Sequence, residues 1–162
     1  MPKTPSSDPP PPLSPACDPL LPAAALAYRT AHNLLSQTDL VAINVTAWLY
    51  RNPQGVYGVQ VNPNVTIAQL KQQFGPAPTR DAETGFHSEA MAAEWFRTRR
   101  DLTVLQVFTE RYPCSKMCAP LLRHYYPGIP WYFYYRPSSW TNDRGQSIAR
   151  AAGILKSAYG LP

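Results

Sequence analysis

Hydrophobic residues follow a helical spacing in some segments of the chain and a strand-like spacing in others. Within residues 19–37, Leu26 and Leu34 lie on one stripe among small alanines, and this spacing predicts a helix. The next segment, 39–62, is rich in β-branched and aromatic residues. Because an Asn-Pro-Gln-Gly sequence interrupts it, the segment predicts a β-hairpin.

Helix-like and strand-like segments alternate after the hairpin. Residues 65–78 form either a short helix or a loop that ends at Gly75 and Pro76. The later segments are predicted, in order, as helix, strand, helix, strand and helix, over 87–100, 102–110, 114–126, 129–136 and 142–160. Strands that alternate with helices indicate an α/β fold, in which the last two strands pair in parallel and an antiparallel hairpin precedes them.

Prolines are concentrated in the first part of the chain. Residues 1–22 predict a disordered, proline-rich linker, because such a composition buries little apolar surface. The folded domain is then expected over 23–162. The net charge of +5 favours a polyanionic partner. The sequence has no apolar run long enough for a membrane span and no visible signal peptide, so we expect no membrane association.

The chain has three cysteines, an odd number that argues against a disulfide framework. Cys17 lies in the proline-rich part, which leaves Cys114 and Cys118 for another role. Taken alone, this pair could be core residues or metal ligands. Neighbouring helices on one face of a parallel sheet bring their first turns together, and His87 opens the preceding helix. The two thiols and the imidazole are therefore expected to converge, which suits a zinc site with a fourth position for water.

A carboxylate follows the candidate histidine at a useful position. If His87 is the capping residue, Glu89 lies in the first helical turn, where it can reach a metal-activated water without binding the ion. A purely structural zinc site would have no use for that carboxylate. Glu89 is therefore the candidate proton-transfer residue.

These motifs resemble a known family. HSE at 87–89 followed by PCSKMC at 113–118 is similar to the His-x-Glu and Pro-Cys-x-x-Cys signature of the zinc-dependent cytidine deaminase superfamily. The Glu110-Arg111 pair and the following Leu121-Leu122 look most like its bacterial polymorphic-toxin branch. One departure is that three residues, rather than two, separate the cysteines. We expect both cysteines to face the same side of one helix at this spacing.

The resemblance implies a three-layer α/β/α fold with a mixed sheet of four to five strands and helices on both faces. The sequence SSWT at 138–141 is then a remnant of the fifth strand. The resemblance also implies that Zn²⁺ is held by His87, Cys114 and Cys118, with Glu89 as the proton shuttle. The residues expected to contact substrate are Asn44, Phe86, Ser88, Pro113, Tyr135, Arg136 and Trp140.

The function implied by the resemblance is conversion of cytosine to uracil in DNA, favouring single strands, with double strands also possible. The aromatic run at 131–140 could stack on bases, although alternate residues of a strand pack in a core in any case. The expected setting is a monomeric, secreted bacterial toxin domain, delivered to the cytoplasm of a target cell and blocked by an immunity protein. The alternatives are an adenosine or cytidine deaminase acting on RNA or free nucleotides, and a noncatalytic zinc-stabilised module that binds nucleic acid.

Overall fold

The computed structural model describes residues 13–75, 87–114, 117–136 and 144–162. Within them, four strands form one sheet: β1 (Val45–Arg51), β2 (Tyr57–Pro63), β3 (Thr103–Arg111) and β4 (Trp131–Tyr135). The helices are α1 (Leu20–Ala31), α2 (Gln37–Ala42), α3 (Ile67–Phe74), α4 (Ser88–Arg97), α5 (Cys118–Tyr125) and α6 (Arg144–Tyr159). None of the helices in these described ranges is both long and apolar enough to cross a membrane.

The sheet is mixed, with strand order β2-β1-β3-β4. β1 pairs antiparallel with β2 and β3, whereas β3 and β4 are parallel. The hairpin turn between β1 and β2 is closed by Asn52, whose Oδ1 accepts hydrogen bonds from the backbone N–H groups of Gln54 and Val56. Gly55 takes a φ of 80°, which a side chain would strain. The predicted hairpin and the predicted parallel pair are both confirmed.

Helices cover both faces of the sheet because successive residues of β1 point to opposite sides. On one side, Val45 and Ala47 pack with Leu21 of α1. On the other side, Trp48 packs with Phe96 of α4 and with Leu122 of α5. A mixed sheet between two helical layers confirms the predicted α/β/α architecture.

The first predicted helix is shorter than expected. α1 ends at Ala31, and Asn33 takes a positive φ of 55°, which turns the chain out of the helix. A second helix, α2, follows, and its first turn is capped by Ser36, whose hydroxyl accepts a hydrogen bond from Asp39 N–H at 3.1 Å. Predicting one helix over 19–37 and a strand from 39 was therefore wrong, since β1 begins only at Val45.

The folded domain also begins earlier than residue 23. Cys17 is buried and packs with Leu21, while Leu13 contacts the same cluster. The backbone N–H of Asp18 donates to Gln106 Oε1 at 2.9 Å. The part of the proline-rich segment from residue 13 onward is therefore packed against the sheet, because its few apolar side chains reach the core between the prolines.

The structure decides the open segment at 65–78 and shifts the start of the helix predicted over 114–126. Residues 67–74 form α3, which begins with a capping box between Thr66 and Gln69. The helix predicted from Cys114 begins instead at Cys118. Pro120 is the third residue of α5, where its missing N–H has no intrahelical partner to lose.

A buried ion pair joins the layers of the fold. Arg29 of α1 is fully buried, and its guanidinium donates to both carboxylate oxygens of Glu110, through Nη2 at 2.7 Å and Nε at 2.8 Å. It also donates to the carbonyl oxygens of Leu34, at 2.8 Å, and of Ile43, on the two sides of α2. The Arg29 side chain therefore fixes the segment that leads from α1 into β1.

Glu110 carries the same network into the other layers. Its carboxylate accepts from Val45 N–H of β1 at 2.9 Å and from the Tyr159 hydroxyl of α6 at 2.6 Å. Burial first, and then the charge of Glu110, raise the pKa of Tyr159, so that this phenol remains a hydrogen-bond donor. Both oxygens of the buried carboxylate are satisfied by these donors together with Arg29, as a buried charge requires.

Substituting Arg29→Met should lower the free energy of unfolding by about 3–5 kcal/mol, because Glu110 would stay buried without its cation. Denaturation with urea measures this loss. The matched control is Arg97→Met, which breaks the exposed Arg97–Glu94 pair and should leave the unfolding midpoint nearly unchanged. Equal effects of the two substitutions would contradict the assigned role of the buried pair.

Candidate metal centre

Three side chains with metal-binding atoms meet beyond the C-terminal end of β3, an inner strand of the sheet. His87 immediately precedes α4 with extended backbone angles (φ −63°, ψ 149°), as expected of a capping residue. Cys114 follows β3, and Cys118 is the first residue of α5. His87 Nδ1 lies 3.2 Å from Cys118 Sγ and 3.6 Å from Cys114 Sγ. All three ligand atoms lie within 4.8 Å of one another, so the group can hold a metal ion.

The donor set fits zinc in spacing and in chemistry. Tetrahedral zinc with Zn–S bonds near 2.3 Å and Zn–N bonds near 2.0–2.1 Å requires ligand atoms about 3.6–3.8 Å apart. The 3.6 Å separation of His87 Nδ1 from Cys114 Sγ agrees with this value, and the 3.2 Å separation from Cys118 Sγ is shorter. Two thiols and one imidazole are donors that zinc accepts readily, whereas magnesium and calcium prefer oxygen.

Hydrogen bonding within the group favours the thiolate form of Cys114. Contacts with Cys118 and then with His87 lower the pKa of the Cys114 thiol to about 3. The contact with Cys114 raises the pKa of the Cys118 thiol and also that of His87. The lowered pKa of Cys114 favours its thiolate, which is the form of cysteine that binds metals.

Cys114 lies before the first turn of α5 and is not part of that helix. We expected both cysteines on one helix face, and this was wrong because α5 begins only at Cys118. The backbone N–H of Ala119 donates to Cys114 C=O at 2.9 Å, and that of Cys118 donates to Cys114 Sγ at 3.3 Å. These two hydrogen bonds hold Cys114 against the first turn of α5.

Glu89 lies beside the metal-binding group but is not part of it. It is in the first turn of α4, as predicted, and only 4% of its surface is exposed. Its Oε1 accepts from the Thr109 hydroxyl at 2.8 Å, and its Oε2 accepts from the Ser88 hydroxyl at 3.1 Å. The carboxylate is thus held in one orientation next to the three ligands.

A partly open cavity exposes this group to solvent. Its lining includes the three metal-binding residues and the Glu89 carboxylate. The other lining residues are Ala42, Asn44, Asn64, Ser88, Arg111 and Tyr112. Asn44 and Ser88 were predicted to lie here from the sequence. A small molecule that enters the cavity would meet the metal ligands and a carboxylate together.

The other residues predicted to contact substrate are not among those that line the cavity in the described part of the chain. Pro113 is buried directly before Cys114. Tyr135 is buried against α2 and α6, does not line the cavity, and accepts a hydrogen bond from Arg111 Nε at 3.2 Å. The guanidinium of exposed Arg136 lies 3.8 Å from the ring centre of Tyr112, which does line the cavity. Phe86 and Trp140, together with the SSWT segment, lie outside the described residues.

Sequence reasoning missed two site residues on β3. Thr109 bonds to Glu89, and Arg111 lines the cavity, while Glu110 between them points to the opposite face of the sheet. The available signal was the alternation of side chains along a strand. Val107 packs toward α4 and α5, and Thr109 and Arg111 follow it at steps of two residues. Counting onward from Val107 would have placed both side chains on the face of the metal centre.

Comparison with known proteins gives no match: no protein-family model, curated protein or solved structure matches the chain. The chemistry of the site must therefore be argued from its own residues. Three neutral or anionic donors can hold a divalent cation and leave further positions on it open. A buried carboxylate beside such a cation can accept a proton from water. This combination suits a hydrolytic reaction.

The purified protein should bind one equivalent of zinc, measured by elemental mass spectrometry. Cys114→Ser, Cys118→Ser and His87→Ala should each weaken binding by at least about 100-fold, because each leaves two of three protein donors. Cobalt substitution should give a thiolate charge-transfer band that these variants lose.

Cys17→Ala is the matched control for metal binding. This thiol is also buried, yet it lies in the core on the α1 side, where burial raises its pKa to about 11. The Cys17→Ala variant should bind zinc at full stoichiometry. Retention of zinc by Cys114→Ser, or its loss in Cys17→Ala, would contradict the proposed ligand set.

Proposed function

We propose that this chain is a zinc-dependent cytosine deaminase that converts cytosine to uracil in DNA. The observation that carries the proposal is Glu89, a buried carboxylate held beside a three-donor metal group without belonging to it. A structural zinc site is closed by four protein ligands, whereas a catalytic site keeps one position for water. In the described part of the chain, the group contains three donors, and it opens into a cavity.

The proposed reaction assigns a proton-transfer role to Glu89. Zinc, when bound, supplies a Lewis acid that lowers the pKa of a water molecule. Glu89 accepts a proton from the water that attacks C4 of cytosine, and it returns protons to the base so that the amino group leaves as ammonia. Water is consumed, ammonia is released and the product is uracil. The reaction needs no oxidant or reductant.

Several charged and aromatic groups support a nucleic-acid substrate. The chain is basic, and Arg111 adds a positive charge to the cavity lining. The Arg136 guanidinium lies over the ring of Tyr112, which lines the cavity, and the Arg123 guanidinium lies 5.4 Å from the ring centre of Trp131. Guanidinium and aromatic planes stack on unpaired bases. Because a base must leave its stack to reach the cavity, single-stranded DNA is the preferred substrate in this proposal.

The biological role is proposed from the resemblance described above. The Glu110-Arg111 pair before Pro113 supports placement in the toxin branch of the deaminases. In this proposal the domain is secreted and acts in the cytoplasm of a target cell. An acidic immunity protein would then cover the cavity of this basic chain. We propose that the domain works as a monomer, because the three metal donors and Glu89 come from one chain.

Substituting Glu89→Gln should lower deamination by at least about 100-fold, because the amide cannot accept the proton. Zinc content and thermal stability should stay close to those of the wild type. Glu94→Gln is the matched control on the same helix, since Glu94 is exposed and pairs with Arg97. Deamination that survives Glu89→Gln would contradict the mechanism.

Sequencing of single-stranded DNA, double-stranded DNA and RNA after incubation with the zinc-loaded protein tests the substrate. We expect cytosine-to-uracil changes, most abundant in single-stranded DNA. Adenosine-to-inosine changes, or changes confined to RNA, would overturn the assignment of cytosine in DNA as substrate. Either result would still agree with a zinc-dependent deamination. Tight binding of nucleic acid without any base change would favour a noncatalytic zinc module instead.

A further inference from the structure

A network of three polar side chains surrounds Glu89, and we infer that it positions this carboxylate for proton transfer. The three residues, here called the Glu89 clamp, are Asn44, Ser88 and Thr109. They come from three different elements: the residue before β1, the first turn of α4 and β3. Ser88 and Thr109 are buried, and Asn44 is half-buried. The inference assigns Asn44 to the protein network rather than to a contact with substrate.

The orientation of the Asn44 amide is fixed by a backbone group. The N–H of Arg111 lies 3.0 Å from Asn44 Oδ1, and an N–H can only donate. The oxygen of the amide must therefore face Arg111, and the NH₂ group must face the interior of the clamp. Asn44 N–H and C=O are bonded in turn to Asn64, at 2.6 Å and 3.1 Å, so the backbone is also held.

Both amide hydrogens of Asn44 are in use. Asn44 Nδ2 lies 2.8 Å from Ser88 Oγ and 2.9 Å from Thr109 Oγ1, and it also lies 3.3 Å from Glu89 Oε1. An amide nitrogen carries two hydrogens and accepts none. With both of them directed at the two hydroxyls, none remains for a sugar or base of a bound nucleic acid. Although Asn44 lines the cavity, its donors point into the protein.

The direction of the next hydrogen bonds follows from the first pair. Because each hydroxyl accepts from Asn44, its single hydrogen is available to another acceptor. Ser88 Oγ donates to Glu89 Oε2 at 3.1 Å, and Thr109 Oγ1 donates to Glu89 Oε1 at 2.8 Å. One amide thus directs two hydroxyls, and each hydroxyl holds one oxygen of the carboxylate. The clamp determines how the carboxylate plane is turned toward the metal centre.

The kinetic consequence rests on the proposed deaminase function. Misplacing a proton-transfer group by about 1 Å can cost about 100-fold in rate without weakening substrate binding. Loss of a clamp hydrogen bond should therefore lower kcat and leave KM unchanged. A residue that contacts substrate would instead change KM.

The matched pair Thr109→Val and Thr109→Ser tests the clamp. Valine keeps the shape of threonine without the hydroxyl, whereas serine keeps the hydroxyl. Thr109→Val should lower kcat by about 10- to 100-fold at constant KM, and Thr109→Ser should keep kcat within about threefold of wild type. Asn44→Ala should also lower kcat at constant KM. Asn44→Ala should cost less in the Thr109→Val background than in the wild type, because the part of its effect that acts through the Thr109 hydroxyl is already lost there.

A second measurement does not depend on activity. In the zinc-loaded wild-type protein, NMR should show the Asn44 side-chain NH₂ exchanging with solvent at least about 10-fold more slowly than exposed asparagine amides. Thr109→Ser should keep this protection, and Thr109→Val should lose it. Exchange at the exposed rate in the wild type, or a raised KM with normal kcat in Asn44→Ala, would overturn the inference. A protected amide in a protein that deaminates nothing would refute the proposed function while confirming the clamp geometry.

Discussion

The buried ion pair between Arg29 and Glu110 is the interaction on which the other parts of the structure depend. It sets α1, the entry to β1, and α6 against β3 through hydrogen bonds that all end on one carboxylate. Because side chains alternate along a strand, fixing Glu110 on one face of β3 fixes Thr109 and Arg111 on the other. The ion pair and the candidate metal centre thus lie on opposite faces of β3. A shift in the register of β3 would disrupt both of them.

Features set by neighbouring residues could be predicted from the sequence. The hairpin follows from the Asn-Pro-Gln-Gly turn, and the capping position of His87 follows from the polar residues at the start of α4. The end of α1 could not be predicted in this way. The segment after Asn33 is held by Arg29, whose guanidinium binds the Leu34 carbonyl and also Glu110, 81 residues away. A hydrophobic stripe carries no information about such a contact.

The candidate site divides in the same manner. His87, Glu89, Cys114 and Cys118 were identified because their chemistry is visible in short motifs. Of the groups that orient Glu89, Ser88 lies inside the HSE motif, but Asn44 and Thr109 come from distant parts of the chain, so only the fold reveals Thr109 and the inward orientation of Asn44. The start of α5 was misplaced because a Cys-x-x-x-Cys spacing fits a helical turn equally well. The spacing of the two cysteines alone does not decide whether α5 begins at Cys114 or at Cys118.

The hydrogen bond from Tyr159 to Glu110 has a consequence for the order in which the protein matures. Tyr159 follows Glu110 by 49 residues, so a ribosome releases the strand that carries the carboxylate well before the helix that completes its coordination. Until α6 has emerged and docked, the β3 carboxylate lacks one of its donors. All four strands precede α6, so the sheet and the metal-binding residues have already been synthesised at that point. Docking of α6 therefore completes the support of β3 after the residues of the candidate site have been made.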